Sequence, residues 1–208
     1  MCQNRVLSVQ FLLLLVKLDL LIVAAVVATR CTRCGGPLHR SDYPRKPRGA
    51  WWAVAGEPLC TIRFSLCCGW PGCRRRATPP SVRFLARRVY LATTVILASV
   101  ALGTASATVL TARQWWQRFG VPRRTARRWR DWWCTAFVQG PVWKEVCGYF
   151  AVPLDAPGLP GSLLTELGAF ADDDRALERA LEQALRLIAP ATTTSIVARN
   201  GARFVRRA

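Results

Sequence analysis

Residues 111–134 read TARQWWQRFGVPRRTARRWRDWWC, and this stretch decides the central part of the fold. Thr111 with Gln114 three residues later makes a capping box, which predicts the start of a helix. The helix would run over residues 112–119. Gly120 then fits the left-handed backbone position that commonly ends a helix. The stretch therefore predicts a short helix followed by a tight turn.

The second half of this stretch predicts another helix with two different faces. Pro122 fixes its start, and Ala126, Trp129 and Trp133 recur at a spacing that places them on one inward face with Val121. The candidate DNA contacts on the rest of its surface are Arg123, Arg124, Arg127, Arg128 and Arg130. A helix-turn-helix needs this division, because apolar residues hold the recognition helix while its polar side chains reach the major groove.

Two other interpretations of this helix pair stay open. An ordinary helical hairpin would leave a solvated arginine face, but these arginines would repel one another without a polyanion. Single-stranded nucleic acid is a second partner, because tryptophans stack on bases. Helical spacing favours the core for most of the tryptophans concerned: Trp115, Trp116, Trp129, Trp132 and Trp133.

Two cysteine-rich segments lie upstream of the helix pair. Residues 31–36 read CTRCGG and residues 67–73 read CCGWPGC. A C-x-x-C followed by glycine is typical of a zinc knuckle, because both thiolates turn inward and glycine permits the left-handed turn. The predicted ligands of a structural Zn²⁺ are Cys31, Cys34, Cys68 and Cys73. Four protein ligands leave no open position for water, so the site would not be catalytic.

Alternatives remain for this constellation. Cys67 is an alternative ligand to Cys68, and His39 could replace one thiolate. The four cysteines could also be reduced structural residues that bind no metal. Alternatively, residues 31–34 could form a redox-active C-x-x-C motif. The nine cysteines are odd in number and irregularly spaced, which argues against a secreted disulfide framework and favours a reducing cytosol.

Between the two cysteine segments, residues 61–66 alternate as a ribbon strand should. A zinc ribbon would display basic side chains to nucleic acid: Arg40, Arg45, Lys46, Arg48, Arg63, Arg74, Arg75 and Arg76. Residues 74–76 are its candidate DNA contacts. The ribbon is therefore a second predicted polyanion-binding surface.

The N-terminal part contains the apolar run 11–28, whose 18 residues are close to the minimum for crossing a bilayer. Lys17 and Asp19 lie at its centre, where each charge costs about 2.5–3.5 kcal/mol on insertion. The charged pair favours a buried or partner-covered helix, with a membrane contact as the alternative. A second uncharged run, 89–112, is rich in small residues and predicts a packed helix.

The C-terminal part predicts an amphipathic helix over residues 176–188, after a linker rich in Pro and Gly. Its apolar face consists of Leu177, Leu181, Ala184, Leu185 and Ile188. Aspartates 172–174 at its start suit the helix dipole, so they indicate capping rather than a metal site. The helix would serve core packing or dimerisation. A basic tail at 191–208 follows.

Taken together, these segments predict a mainly α chain with a small β zinc ribbon. The predicted order is an apolar N-terminal helix at 1–29, the zinc ribbon at 30–82, a helix-turn-helix DNA-binding domain at 83–150, a C-terminal helical segment at 151–190 and the basic tail at 191–208.

Charge and composition narrow the function classes. The chain carries 30 Lys and Arg, of which three are Lys, against 12 Asp and Glu, a net charge of +18. The segment 30–91 has thirteen cations and two acids, whereas 145–190 has three cations and eight acids. A single histidine excludes paired-histidine chemistry. Clustered positive charge without catalytic residues indicates a polyanion-binding protein and not an enzyme.

Four blocks also carry a resemblance to known proteins: CTRCGGPLHRSDYPRKPRG at 31–49, FSLCC at 64–68, GCRRR at 72–76 and TPPSVRFL at 78–85. The chain resembles small bacterial proteins encoded with insertion sequences, often labelled transposase or transposase-like, with a zinc ribbon followed by a helix-turn-helix. The resemblance covers roughly residues 30–135. It implies binding to the DNA of a mobile element, without the catalytic half of a transposase.

The leading hypothesis is thus a cytoplasmic, non-catalytic DNA-binding protein of a mobile genetic element. It would bind double-stranded DNA, with a transposase or a second copy of itself as protein partner. One alternative is a membrane-anchored regulator, with residues 11–28 in the inner membrane and the basic domain in the cytoplasm. The other is a minimal transposase with carboxylates drawn from Asp131, Glu145, Asp155, Glu166 and 172–174.

Overall fold

Helices make up most of the chain in the computed structural model, which describes residues 9–45, 47–49, 57–85, 90–103, 110–169 and 174–192. The helices are α1 (Val9–Ala28), α2 (Pro58–Thr61), α3 (Ala92–Gly103), α4 (Ala112–Phe119), α5 (Arg123–Trp132), α6 (Pro141–Cys147), α7 (Gly161–Glu166) and α8 (Asp174–Ile188). A π-helical turn, Trp133–Phe137, continues α5, and a 3₁₀ turn, Ala189–Thr192, follows α8. The prediction of a mainly α chain with a small sheet is confirmed.

Five short strands lie between α1 and α3: β1 (Leu38–Arg40), β2 (Tyr43–Pro44), β3 (Ile62–Arg63), β4 (Leu66–Cys68) and β5 (Arg76–Ala77). The cysteine sheet is antiparallel in the order β1–β4–β5, and β2 pairs with β3 separately. The predicted continuous strand over 61–66 is wrong. Ser65 donates its N–H to Asp42 Oδ1 at 3.0 Å, so the chain leaves β3 there and enters a different sheet as β4.

Helix α1 packs one face against α2 and against residues 81–83. Its buried side chains are Phe11, Leu12, Leu15, Val16, Leu18, Asp19 and Val23. Among the described helices, α1 is the one long and apolar enough to cross a membrane by length and composition, and a core helix of a soluble protein meets the same test. Its opposite face exposes Leu14, Lys17 and Leu21.

Asp19 is buried on the packed face of α1 with an exposed fraction of 1%. Its Oδ2 accepts hydrogen bonds from the Ser81 hydroxyl and from Arg83 Nε, both at 2.7 Å. Its Oδ1 accepts the Val82 N–H at 2.7 Å. The central acid of the apolar run is therefore fully satisfied inside the protein, as burial of a charge requires.

Arg83 connects this carboxylate to the strand region. Its two terminal nitrogens donate to the carbonyls of Leu59 at 2.7 Å and Ile62 at 2.9 Å. The guanidinium also lies over two rings, 4.7 Å from the centroid of Phe64 and 5.2 Å from that of Phe84. Arg83 thus joins α1, the α2–β3 segment and the approach to α3.

Helix α3 packs against α5, α7 and α8, and the strand region reaches this helical part through Gly49. A Cβ on Gly49 would lie 2.6 Å from Thr94 Cγ2 on α3, and one on Gly120 would lie 2.6 Å from the Gly49 carbonyl oxygen. Both glycines have positive φ, +109° and +61°. The backbone at residue 49 is therefore inserted between α3 and the α4–α5 turn, where only glycine fits.

The C-terminal helix α8 packs against α3, α6 and α7. Ala180, Leu181, Ala184, Leu185 and Ile188 are buried there, against α7 and the neighbouring helices. The predicted amphipathic face is thus present and packs within the chain, in the core-packing role. Asp172, Asp173 and residues 193–208 of the tail lie outside the described residues.

Asp19→Asn should lower the free energy of unfolding by about 3–5 kcal/mol, because Arg83 would stay buried without its counter-charge. Urea unfolding of the full chain measures this. The control is Lys17→Gln on the exposed face of the same helix, for which we expect a change within about 0.5 kcal/mol. Equal stability of the two variants would contradict a structural role for the ion pair.

Candidate metal centre and basic surfaces

Four cysteines converge at one end of the cysteine sheet, where the chain enters β1 and where it turns from β4 to β5. Their sulfur atoms all lie within 4.8 Å of one another: Cys31, Cys34, Cys68 and Cys73. The Sγ atoms of Cys31 and Cys73 are 3.8 Å apart, and those of Cys34 and Cys68 are 3.4 Å apart. The pairs are free thiols, since a disulfide would bring two sulfurs to about 2.05 Å.

These separations suit a tetrahedral metal ion. Four sulfurs bound at about 2.3 Å in a tetrahedron lie about 3.8 Å from one another. The observed distances of 3.8 and 3.4 Å are close to that value. A thiolate-only donor set selects soft or borderline metals. The quartet is therefore compatible with a metal site closed to water.

Backbone geometry around the quartet has the form expected of knuckles. Gly35 has φ +69°, and the chain turns back so that Cys31 N–H donates to the Gly36 carbonyl at 2.9 Å. In the second segment, Cys73 N–H donates to the Trp70 carbonyl at 3.0 Å. A Cβ on Gly36 would lie 3.1 Å from Cys68 Sγ, so a larger residue there would crowd the sulfurs.

The pKa values of the cysteine thiols also favour a bound cation at this site. The backbone N–H of Arg33 is the main reason that the pKa of Cys31 is lowered to about 6. The Gly36 N–H acts to lower the pKa of Cys34, but burial and the three neighbouring thiols together raise it to about 12. One thiolate thus forms readily and opposes the next ionisation. A central cation is what would allow all four to ionise.

The alternative ligands lie outside this cluster. The Cys67 thiol faces the carbonyl of Arg74 at 3.4 Å, away from the four sulfurs. His39 packs against the backbone of Gly69 and is exposed. The structure brings Cys68 into the quartet, because β4 pairs Cys68 with Leu38 on the buried side of the sheet.

The predicted capping box at Thr111 is present, with Gln114 N–H donating to the threonine hydroxyl at 3.2 Å and Gln114 Oε1 accepting the Thr111 N–H at 2.8 Å. Helix α4 ends at Gly120 in the left-handed conformation. On α5, Ala126 and Trp129 are buried, as is Trp133 in the following turn. The two-faced helix pair therefore forms as predicted.

The α5 arginine surface consists of Arg124, Arg127 and Arg128, which are all exposed. None of these three forms an ion pair with any residue in the described ranges. The exposed Asp131 follows them one turn later. The surface is therefore a concentration of uncompensated positive charge.

The other two candidate arginines of this helix are half-buried. The Arg123 guanidinium lies 5.3 Å from the centroid of the Trp115 ring. Arg130 lies against Gly103, at the C-terminal end of α3, where a helix dipole favours a cation. These two side chains contact the neighbouring helices α4 and α3.

The cysteine sheet carries the second basic surface. Arg74, Arg75 and Arg76 are exposed, and Arg75 and Arg76 line a small cleft together with Arg30 and Thr32. Arg76 also donates to the Ser41 hydroxyl at 3.2 Å. The loop before β5 and the residue before Cys31 thus contribute cations to one concave surface.

The expectation that Arg63 is displayed on the surface is wrong. Its exposed fraction is 1%, and it donates to the Pro79 carbonyl at 2.6 Å. Burial lowers the pKa of Arg63 to about 10. Arg45, which was also expected on the ribbon surface, lies over the rings of Tyr43 and Phe84. Lys46, another of these basic residues, lies outside the described residues.

Sequence reasoning missed the Asp19–Arg83 pair and the contribution of Arg30 to the cleft. The acid within an apolar run was a usable signal for the first, although its partner is 64 residues away. Most tryptophans of the helix pair are in the core as predicted, whereas Trp116 is 53% exposed.

Comparison of the chain with protein-family models, curated proteins and solved structures finds no match. Its function must therefore be inferred from the cysteine quartet and from the two basic surfaces. Both features are local arrangements of side chains whose chemistry is well defined.

Cys68→Ser should abolish metal binding, whereas Cys67→Ser should leave it unchanged, because only the first removes a sulfur from the quartet. The measurement is bound metal per chain by elemental analysis after purification without chelator. The adjacent serine variant is the matched control. If Cys67→Ser lost the metal and Cys68→Ser kept it, Cys67 and not Cys68 would be the ligand.

Proposed function

We propose that this chain is a non-catalytic DNA-binding protein whose cysteine sheet is a ribbon held by one structural Zn²⁺. Zinc suits four cysteine ligands in a tetrahedron and needs no other group to complete its coordination. Such an ion would join residues 31–34 to residues 68–73, which the small sheet alone holds with few hydrogen bonds. The role of the ion is to hold these two segments, and thus the basic surface that they carry, in a fixed arrangement.

The observation that carries DNA binding is the division of α5 into a buried apolar face and an exposed arginine surface. Trp129 and Trp133 hold the helix against the core, while Arg124, Arg127 and Arg128 face outward with no ion-pair partner among the described residues. Unpaired arginines so close together repel one another unless an anion lies between them. The helix pair α4–α5 is then a helix-turn-helix with α5 as the recognition helix.

The arginines divide into two proposed roles. Arg124 and Arg127 lie in the first half of α5, so they contact bases in the major groove. Arg128 and the ribbon arginines 74–76 contact phosphates, which strengthen binding without selecting a sequence. Arg123 and Arg130 hold α5 against α4 and α3, as their half-buried positions favour.

The DNA is that of a mobile genetic element, with a transposase or a second copy of the chain as partner. The resemblance of residues 31–49, 64–68, 72–76 and 78–85 to insertion-sequence proteins supports this part of the proposal. The protein acts in the cytoplasm. The buried pairing of Asp19 with Arg83 supports that location, because insertion of α1 into a membrane would break it.

Binding to duplex DNA should depend strongly on salt. With the four arginines assigned to phosphates, a plot of log K against log [salt] should have a slope of about −3.6 or steeper, at about −0.9 per contact. Fluorescence anisotropy with a labelled duplex between 50 and 300 mM salt, roughly the useful range, measures it. A slope near zero would show that the positive charge does not serve nucleic acid.

Arg127→Ala should cost about 1–3 kcal/mol on the preferred DNA site and relax selection at one base pair. Arg75→Ala should weaken all sequences about equally, since it removes a phosphate contact. The preferred site is obtained by selection from random duplexes, and each variant is then compared on that site and on random DNA.

Lys144→Ala on α6 is the matched control, because it removes one exposed positive charge outside both surfaces. It should leave base selection unchanged. If Arg127→Ala weakened specific and random DNA to the same extent, α5 would contact phosphate only, and base reading would belong elsewhere.

A further inference from the structure

The β4–β5 loop (residues 69–75) presents a large aromatic side chain to solvent. Trp70 is 57% exposed, although it lies between two of the clustered cysteines in the sequence. By contrast, Trp115, Trp129 and Trp133 are almost completely buried. An indole held outward removes little of its apolar surface from water, so it is suited to contact with a partner.

The backbone of Trp70 is held in place. Its carbonyl accepts the N–H groups of Cys73 and Arg74, both at 3.0 Å. Its own N–H is directed at the Cys68 sulfur and acts to lower the pKa of that thiol, although the net shift is upward. Trp70 Cγ is 3.2 Å from where a Cβ on Gly36 would lie, so the root of the indole rests on that glycine. The side chain therefore projects from a fixed turn.

The surroundings of Trp70 are strongly basic. Arg74, Arg75 and Arg76 follow it within the same hairpin, and all are exposed. The cleft lined by Arg30, Thr32, Arg75 and Arg76 opens on the same sheet. The sequence has no acidic residue between Glu57 and Asp131. A partner of this surface must combine negative charge with a flat apolar face.

Single-stranded DNA has this combination. Each nucleotide carries a phosphate, and an unpaired base exposes a face on which an aromatic ring can stack. In a duplex the base faces are covered by their neighbours, so only the phosphates would be available to this loop. The pairing of a fixed indole with adjacent arginines thus favours an unpaired strand over a duplex.

We propose that the β4–β5 loop is a binding site for single-stranded DNA, in which Trp70 stacks on an unpaired base and the arginines of the loop and cleft contact the flanking phosphates. The inference rests on the proposed function in that both require nucleic-acid binding. It adds an unpaired strand as the ligand of Trp70, on a surface whose arginines can contact the phosphates of either a duplex or an unpaired strand, and base reading in the duplex stays with α5.

The experiment compares two substitutions at one position in the full, metal-loaded chain. Trp70→Leu keeps an apolar cover beside the cysteines but removes the stacking ring, and it should weaken binding to an oligothymidine of about 10 nucleotides by about 5- to 100-fold. Trp70→Phe keeps an aromatic ring and should retain most of the affinity. Both variants should bind a blunt duplex as tightly as the unchanged chain.

Trp116→Ala is the matched control, because it removes another exposed tryptophan, on α4. It should leave the affinity for oligothymidine unchanged. Bound metal per chain is measured for every variant, and affinities are compared only at equal metal content. Should the Trp70→Leu variant fail to load metal, Trp70→Ala takes its place. We expect it to weaken binding to oligothymidine to the same extent.

Equal affinity of the Phe and Leu variants for oligothymidine would overturn the inference, as would equal weakening by Trp116→Ala. Failure of the proposed duplex function has a different signature. In that case the unchanged chain would bind oligothymidine in a Trp70-dependent way but would not bind the blunt duplex. If the unchanged chain bound neither oligothymidine nor the blunt duplex, both proposals would be overturned.

Discussion

The buried ion pair between Asp19 and Arg83 is the contact on which the arrangement of the other elements depends. A carboxylate and a guanidinium taken out of water are tolerated only when their remaining hydrogen-bonding atoms are satisfied. Here that requirement is met by groups from the residues before α3 and from the carbonyls of Leu59 and Ile62. Because Cys31 follows α1 directly, the position of the first cysteine pair is set by the same contact.

The cysteine sheet and the helix pair, which carry the two basic surfaces, share one hydrophobic core. The cysteine sheet and the helix pair are joined where Gly49 lies between Thr94 and Gly120. Substitution of either glycine would force the backbones apart, since a Cβ at each would be 2.6 Å from its neighbour. The arginines of α5 and those around the β4–β5 loop are therefore held at a defined distance from one another. A nucleic acid that contacts both must match that spacing.

Local patterns in the sequence predicted the local structure well. The capping box at Thr111, the left-handed Gly120 and the cysteine quartet each depend on residues within a few positions, or on a ligand set with known chemistry. The burial of Arg63, the break in the strand over 61–66 and the Asp19–Arg83 pair were not predictable in this way. Each depends on a partner distant in sequence, such as Pro79 or Asp42, that periodicity does not reveal.

The separation of 64 residues between Asp19 and Arg83 has a consequence during synthesis. At about 5–20 residues per second, the arginine is added roughly 3–13 s after the aspartate. For that interval the nascent chain carries a long apolar helix whose acid has no counter-charge. An ionised group at the middle of such a helix costs about 2.5–3.5 kcal/mol on transfer into a bilayer. The carboxylate that later anchors the core therefore also disfavours entry of the unpaired helix into lipid during this interval.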